Sequence, residues 1–162
     1  LSFAALRRPV ARDSYSDHLP LVAWVEEEQA FLTIDDGWGY LDDMLAILQQ
    51  KGVKATACLT GFDLLRAPGD ITAWYEAGYS FCNHTFSHPV LAAGVTPEEA
   101  PDPHVPLGVV ASATSYDTHG ELLRAEAALA SIVPDATMRP FFRPPYGVQN
   151  EAVRAAAAAL GL

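Results

Sequence analysis

Two adjacent carboxylates, Asp35 and Asp36, close the apolar run Phe31-Leu32-Thr33-Ile34 and are followed by Gly37. Two imidazoles stand four positions apart in His84-Thr85-Phe86-Ser87-His88, and a guanidinium opens the segment Arg143-Pro144-Pro145-Tyr146-Gly147. Neighbouring residues at a strand end point their side chains in different directions. One aspartate can therefore bind a metal while the other addresses the water on it, and a divalent cation relieves the repulsion between the two charges. On a single helical turn the two histidines would have Cβ atoms about 5–6 Å apart, close enough to share an ion. Pro89 biases His88 away from the helical region, so such a turn cannot extend. Two histidines and one aspartate make three protein ligands with a position left for water, which is catalytic rather than structural coordination. Consecutive prolines stiffen the third segment and aim Arg143, whose guanidinium can hold the base carboxylate ionised and oriented. The inventory is that of a metal-dependent hydrolase.

Each segment alone is ordinary. Aspartate and glycine build turns and helix caps, and histidines and proline-rich turns are common. What separates these from chance is the elements that must position them. Phe31 to Ile34 reads as a buried strand, and Leu41, Met44, Leu45, Ile47 and Leu48 form a helical stripe stopped at Lys51-Gly52. Val53 to Leu59 is a second strand ending at Thr60-Gly61. Ile71-Trp74-Tyr75 predicts a short helix stopped at Gly78, and Tyr79 to Cys82 a third strand running into Asn83-His84. From Pro89 to Ser115 prolines and glycines predict a long surface loop. Thr118-His119-Gly120-Glu121 has the form of a capping box that opens a helix, Phe141-Phe142 predicts a fourth strand, and Glu151 to Leu160 a last helix. Strands alternating with helices imply an α/β fold with a parallel sheet. All three chemical segments fall at strand C-terminal ends, where such sheets and barrels place their sites.

Composition narrows the partners. A chain of 162 residues, half hydrophobic and 19% charged, suits one globular domain with a real core. A net charge of −10 with only Arg7, Arg8 and Arg12 clustered argues against nucleic acid and for a neutral or cationic ligand. No apolar run approaches a membrane span. The start does not resemble a signal peptide; it is Leu1, not Met, so upstream sequence is expected. An extracellular or cell-wall location follows only if a signal segment lies there, and oligomeric state is left open. Cys58 and Cys82, in apolar strand-like runs, are expected to be buried free thiols.

The three segments together resemble the first three motifs of the polysaccharide deacetylase family, the carbohydrate esterase family four or NodB homology domain, from about Phe31 to the end of the chain. The resemblance implies a distorted (β/α) barrel and removal of acetyl groups from an N- or O-acetylated glycan such as chitin, peptidoglycan or xylan. By matching position it implies Asp35 as general base, Asp36, His84 and His88 as ligands of zinc, cobalt or a similar divalent ion, and Arg143 as the group orienting Asp35. It further implies that the Tyr146 N–H stabilises the oxyanion, with Thr85 and Ser87 supporting the histidine turn. The family has Phe where Ile34 stands, and Trp38 also departs from its first motif. Its later aspartate–tryptophan and leucine–x–histidine motifs would lie beyond Leu162, and His18, His104 and His119 do not sit in the context of that last histidine. The expectation is a barrel incomplete at the C-terminus: a partial catalytic domain, 31–162, after an extension, 1–30, that packs on it. Two alternatives stay open: an amidohydrolase for a small non-sugar amide, and a catalytically silent, metal-containing glycan-binding domain.

Overall fold

A computed structural model describes residues 31–37, 39–92 and 117–162. The expected extension 1–30, Trp38, and the loop beyond residue 92 lie outside the described residues.

Three strands form a parallel sheet in the order β1 (Leu32–Asp35), β2 (Ala55–Leu59), β3 (Ser80–Asn83). The register pairs Leu32 with Ala55 and Asp35 with Cys58, then Thr56 with Ser80 and Leu59 with Asn83. Parallel neighbours need a crossover, and helices supply it. Helix α1 (Leu41–Lys51) joins β1 to β2, and α2 (Gly61–Arg66) with α3 (Pro68–Glu76) joins β2 to β3. Beyond β3 lie α4 (Thr118–Ile132), a 3₁₀ turn at Pro145–Gly147 and α5 (Glu151–Ala159).

Buried Leu41, Leu45 and Leu48 form the inner stripe of α1. Gly52 ends that helix in the left-handed conformation, φ 63°, its N–H returning to the Leu48 and Gln49 carbonyls. Against this stripe Trp74 of α3 is fully buried, and its indole N–H donates to the Leu41 carbonyl (2.8 Å). Ala57, Leu59, Phe81, Ala125, Leu129 and Met138 complete one core under the sheet. The strand ends are thereby fixed from below.

Five expectations need correction. The first strand is not buried: Phe31 and Leu32 are exposed and Ile34 is only half-buried. Phe141-Phe142 is not a strand: Phe142 forms a single parallel bridge with Asn83. Prolines at 140, 144 and 145 remove the donors that a longer ladder needs, leaving Asn83 N–H to the Phe141 carbonyl and Arg143 N–H to the Asn83 carbonyl, both 2.9 Å. Helix α2 was not anticipated where Thr60-Gly61 looked like a turn; Thr60 caps it, accepting from the Asp63 N–H. The capping box does not form, because Asp117, one residue earlier, caps α4 by accepting from the Gly120 N–H (3.0 Å). Val90, Leu91 and Ala92, assigned to a surface loop, are buried, Val90 and Ala92 in a small cluster with Val148. Cys58 and Cys82 are buried and free, and the thiol of Cys82 is pushed upward by its hydrogen bond to Cys58 and then by burial.

Candidate metal centre at the strand ends

The chain turns sharply as it leaves β1. Asp36 and Gly37 both have positive φ (64° and 80°), and the Asp36 N–H extends the ladder to the Cys58 carbonyl (2.9 Å). Aspartate tolerates this region, and glycine enters it freely. A Cβ on Gly37 would also lie 2.9 Å from the Leu41 side chain, so sterics demand glycine there too. The turn sends the neighbouring carboxylates apart. Asp35 Oδ2 meets Arg143 Nη1 at 3.3 Å, while Asp36 Oδ1 lies 3.4 Å from His84 Nε2 and 3.5 Å from His88 Nε2.

The histidine segment is not a helical turn, as its spacing had suggested. Thr85 and His88 take left-handed φ values, 69° and 57°, and the reversal between them brings the rings together with centroids 4.8 Å apart. Local bonds hold the reversal. Thr85 Oγ1 accepts from the His88 N–H (3.1 Å), and the fully buried Asn83 Oδ1 accepts from the Thr85 N–H (3.0 Å). Gly61 gives room, since a Cβ there would sit 2.1 Å from the Phe86 ring.

His84 is buried, and its Nδ1 lies 2.8 Å from the Arg143 carbonyl oxygen. A carbonyl only accepts, so Nδ1 carries the proton and, in the neutral ring, Nε2 presents a lone pair. Burial, then the neighbouring His84, lowers the pKa of His88 against the opposing pull of Asp36, which favours the neutral ring that a metal requires. The two Nε2 atoms are 3.2 Å apart. The three donor atoms thus form a triangle with edges of 3.2, 3.4 and 3.5 Å. Corners of a tetrahedron at zinc–ligand distances of about 2.0–2.1 Å are about 3.3–3.4 Å apart. Asp36, His84 and His88 therefore fit a shared divalent ion.

Arg143 ties both halves of the centre together: its main-chain oxygen takes the His84 ring and its side chain takes Asp35. Its Nη2 also donates to Thr33 Oγ1 (2.8 Å). Tyr146 stands beside the centre, its ring edge-on to His88 with centroids 4.6 Å apart, in a left-handed conformation (φ 57°, ψ 9°) that side chains rarely adopt. All six residues singled out from the sequence, Asp35, Asp36, His84, His88, Arg143 and Tyr146, are linked by these contacts. Three supporting residues escaped sequence reasoning. Thr33 had a signal, since strand alternation puts it on the face of Asp35. Asn83 had a local one, since an asparagine side chain bonds the backbone two residues on, here the Thr85 N–H; Glu121 had none, because its Oε2 accepts from the distant N–H groups of Phe86 and Ser87.

Comparison with known proteins agrees with this geometry. Residues 24–162 match the family described as polysaccharide deacetylase. A chitooligosaccharide deacetylase of Bradyrhizobium sp. (strain ANU 289) is 31% identical over 134 residues, 82% of this chain and 52% of that protein. Chitin deacetylase 1 of Cryptococcus neoformans var. grubii is 31% identical over 132 residues, 81% of this chain and 24% of that protein. The chain thus spans about half of the first relative and about a quarter of the second. Among solved structures, a family 4 carbohydrate esterase from Streptomyces lividans in complex with acetate superposes with a TM-score of 0.63 at 28% identity, covering 82% of this chain and 59% of that one. The parallel strands and crossover helices are the expected portion of a distorted (β/α) barrel.

Proposed function

We propose, from the premise that the chain belongs to the polysaccharide deacetylase family, that it is a metal-dependent hydrolase removing acetyl groups from an acetylated glycan. The observation that carries this reading is the triangle of Asp36, His84 and His88 donor atoms beside the Asp35–Arg143 pair at the ends of parallel strands. A carboxylate and two imidazoles suit zinc best, with cobalt or another divalent ion able to substitute. When bound, the ion supplies Lewis-acid polarisation of an acyl oxygen and acidifies water.

The chain's own residues do the rest. Asp35, outside the donor triangle, is the general base that takes the proton from attacking water. The Arg143 guanidinium pairs with that carboxylate and aims it, and Thr33 fixes the guanidinium from its other side. His84, held through Nδ1, cannot rotate away. The main-chain N–H of Tyr146, a left-handed residue beside His88, is assigned the stabilisation of the oxyanion. Two of the curated relatives are a chitooligosaccharide deacetylase and a chitin deacetylase, which supports an N-acetylated glucosamine polymer as substrate class.

The deciding experiment is acetate release by the purified chain with zinc or cobalt from chitooligosaccharide, peptidoglycan and acetylated xylan, with Asp35→Asn as control. Release that vanishes in the mutant establishes the deacetylase. Metal binding without release from any of them, or from small acetamides, leaves a partial catalytic domain or a silent metal-containing domain, and the same assay on a chain as long as its relatives decides between the two.

A further inference from the structure

Glu121 is the one acidic side chain of α4 that is almost fully buried, 1% exposed, and it is spent on no contact within the metal triangle. One of its oxygens, Oε2, accepts from the Phe86 N–H (3.0 Å), the Ser87 N–H (2.8 Å) and Ser87 Oγ (3.1 Å). The other, Oε1, pairs with Arg124. Arg124 in turn places its guanidinium 5.0 Å from the centre of the Phe86 ring. Phe86 and Ser87 are two of the three residues between the histidines. The reversal there has no helical bonds of its own, so its N–H groups need an acceptor from elsewhere. An anionic acceptor shared by three donors is a strong one, and removing it strands half-buried donors.

The two histidines are not held alike. His84 leaves the end of β3 with its ring locked to the Arg143 carbonyl. His88 sits at the far end of the reversal, its side chain 23% exposed, held by the Thr85 hydroxyl through its N–H and by the Tyr146 ring. Its position therefore depends on the shape of residues 85–87.

The geometry points to Glu121 as a positioning residue that sets His88 for metal binding by clamping the Phe86–Ser87 backbone. This deepens the metal-site reading given above and rests on it. Outer groups that orient metal ligands are typically worth about 10–100-fold in affinity. A residue that merely packs α4 against the sheet would alter stability without altering the ion's coordination.

The test is zinc affinity of the full chain by competition with a chromophoric chelator, together with the absorption of the cobalt form, in Glu121→Gln, Ser87→Ala and the parent. Glu121→Gln keeps the side-chain shape but loses the charge. Ser87→Ala removes one donor and leaves none unpaired. Both are read by hydrogen exchange at the Phe86 and Ser87 amides, well below their melting temperatures. Expected are a fall of about 10–100-fold in zinc affinity for Glu121→Gln, a smaller fall for Ser87→Ala, weaker cobalt bands as His88 leaves the ion, and faster exchange at both amides. Parent-like affinity and cobalt spectrum in Glu121→Gln overturn the inference while leaving the metal site standing. A parent chain that binds neither ion overturns the metal-site reading, and this inference with it.

Discussion

At the scale of single residues, the two neighbouring aspartates hold different partners and should fail differently. Asp36 faces two imidazoles; Asp35 faces a guanidinium. Asp36→Ala or His84→Ala is expected to abolish stoichiometric zinc, because two remaining donors cannot hold a catalytic ion. Asp35→Asn is expected to retain zinc and to lose turnover by roughly 10²–10⁴-fold, the usual worth of a general base. Metal analysis beside acetate release separates the two. Zinc lost from Asp35→Asn and kept in Asp36→Ala would reverse the assignment. The residue types were legible in the sequence because a metal needs few chemistries and they recur at strand ends. Glu121 was not, since its i+3 spacing from Thr118 matched a local cap, and only the packed fold shows it reaching Phe86 and Ser87 instead.

At the scale of elements, helices with clear stripes and stops were legible: α1 runs from Leu41 to Lys51 and ends on Gly52, as its periodicity required. Helix α2 was not, since six residues are too few for a periodic pattern to declare itself. The fourth strand misled for another reason, because two aromatic residues promise a strand while the flanking prolines withhold the donors. Helix α4 carries a testable liability. One oxygen of Glu126 is buried without a hydrogen-bond partner among the described residues. Burial raises its pKa, against the opposing pull of Arg139 and bonds from Met138 and Thr137. For an acid raised on folding, the folded state binds more protons, so stability falls as pH climbs from the ordinary glutamate range through the folded pKa. Glu126→Gln should therefore stabilise the fold at neutral pH, by less than about 1 kcal/mol for a group half open to solvent, read from thermal melts. The difference should vanish near pH 4, below about the free glutamate pKa. A stabilisation that persisted undiminished at that pH would show that ionisation is not its cause.

At the scale of the whole molecule, a ligand that binds only the folded chain adds to its stability. Zinc at a hundred times its dissociation constant should contribute about 2.7 kcal/mol, or about 5–11 °C at the 2–4 °C per kcal/mol usual for this size. The Asp36→Ala variant should show no such rise, and thermal melts with and without chelator measure both. No helix among the described residues is long and apolar enough to cross a membrane. The double grip of Arg143 on the Asp35 carboxylate and the His84 ring has a temporal side. Asp35 and Arg143 are 108 positions apart. All three metal donors leave the ribosome before the residue that braces both sides of the centre. Closing so long a loop costs little more than closing a shorter one at equilibrium, but contacts of such sequence separation form slowly. During synthesis the donor set precedes its brace, and the working centre belongs only to the chain that has closed upon itself.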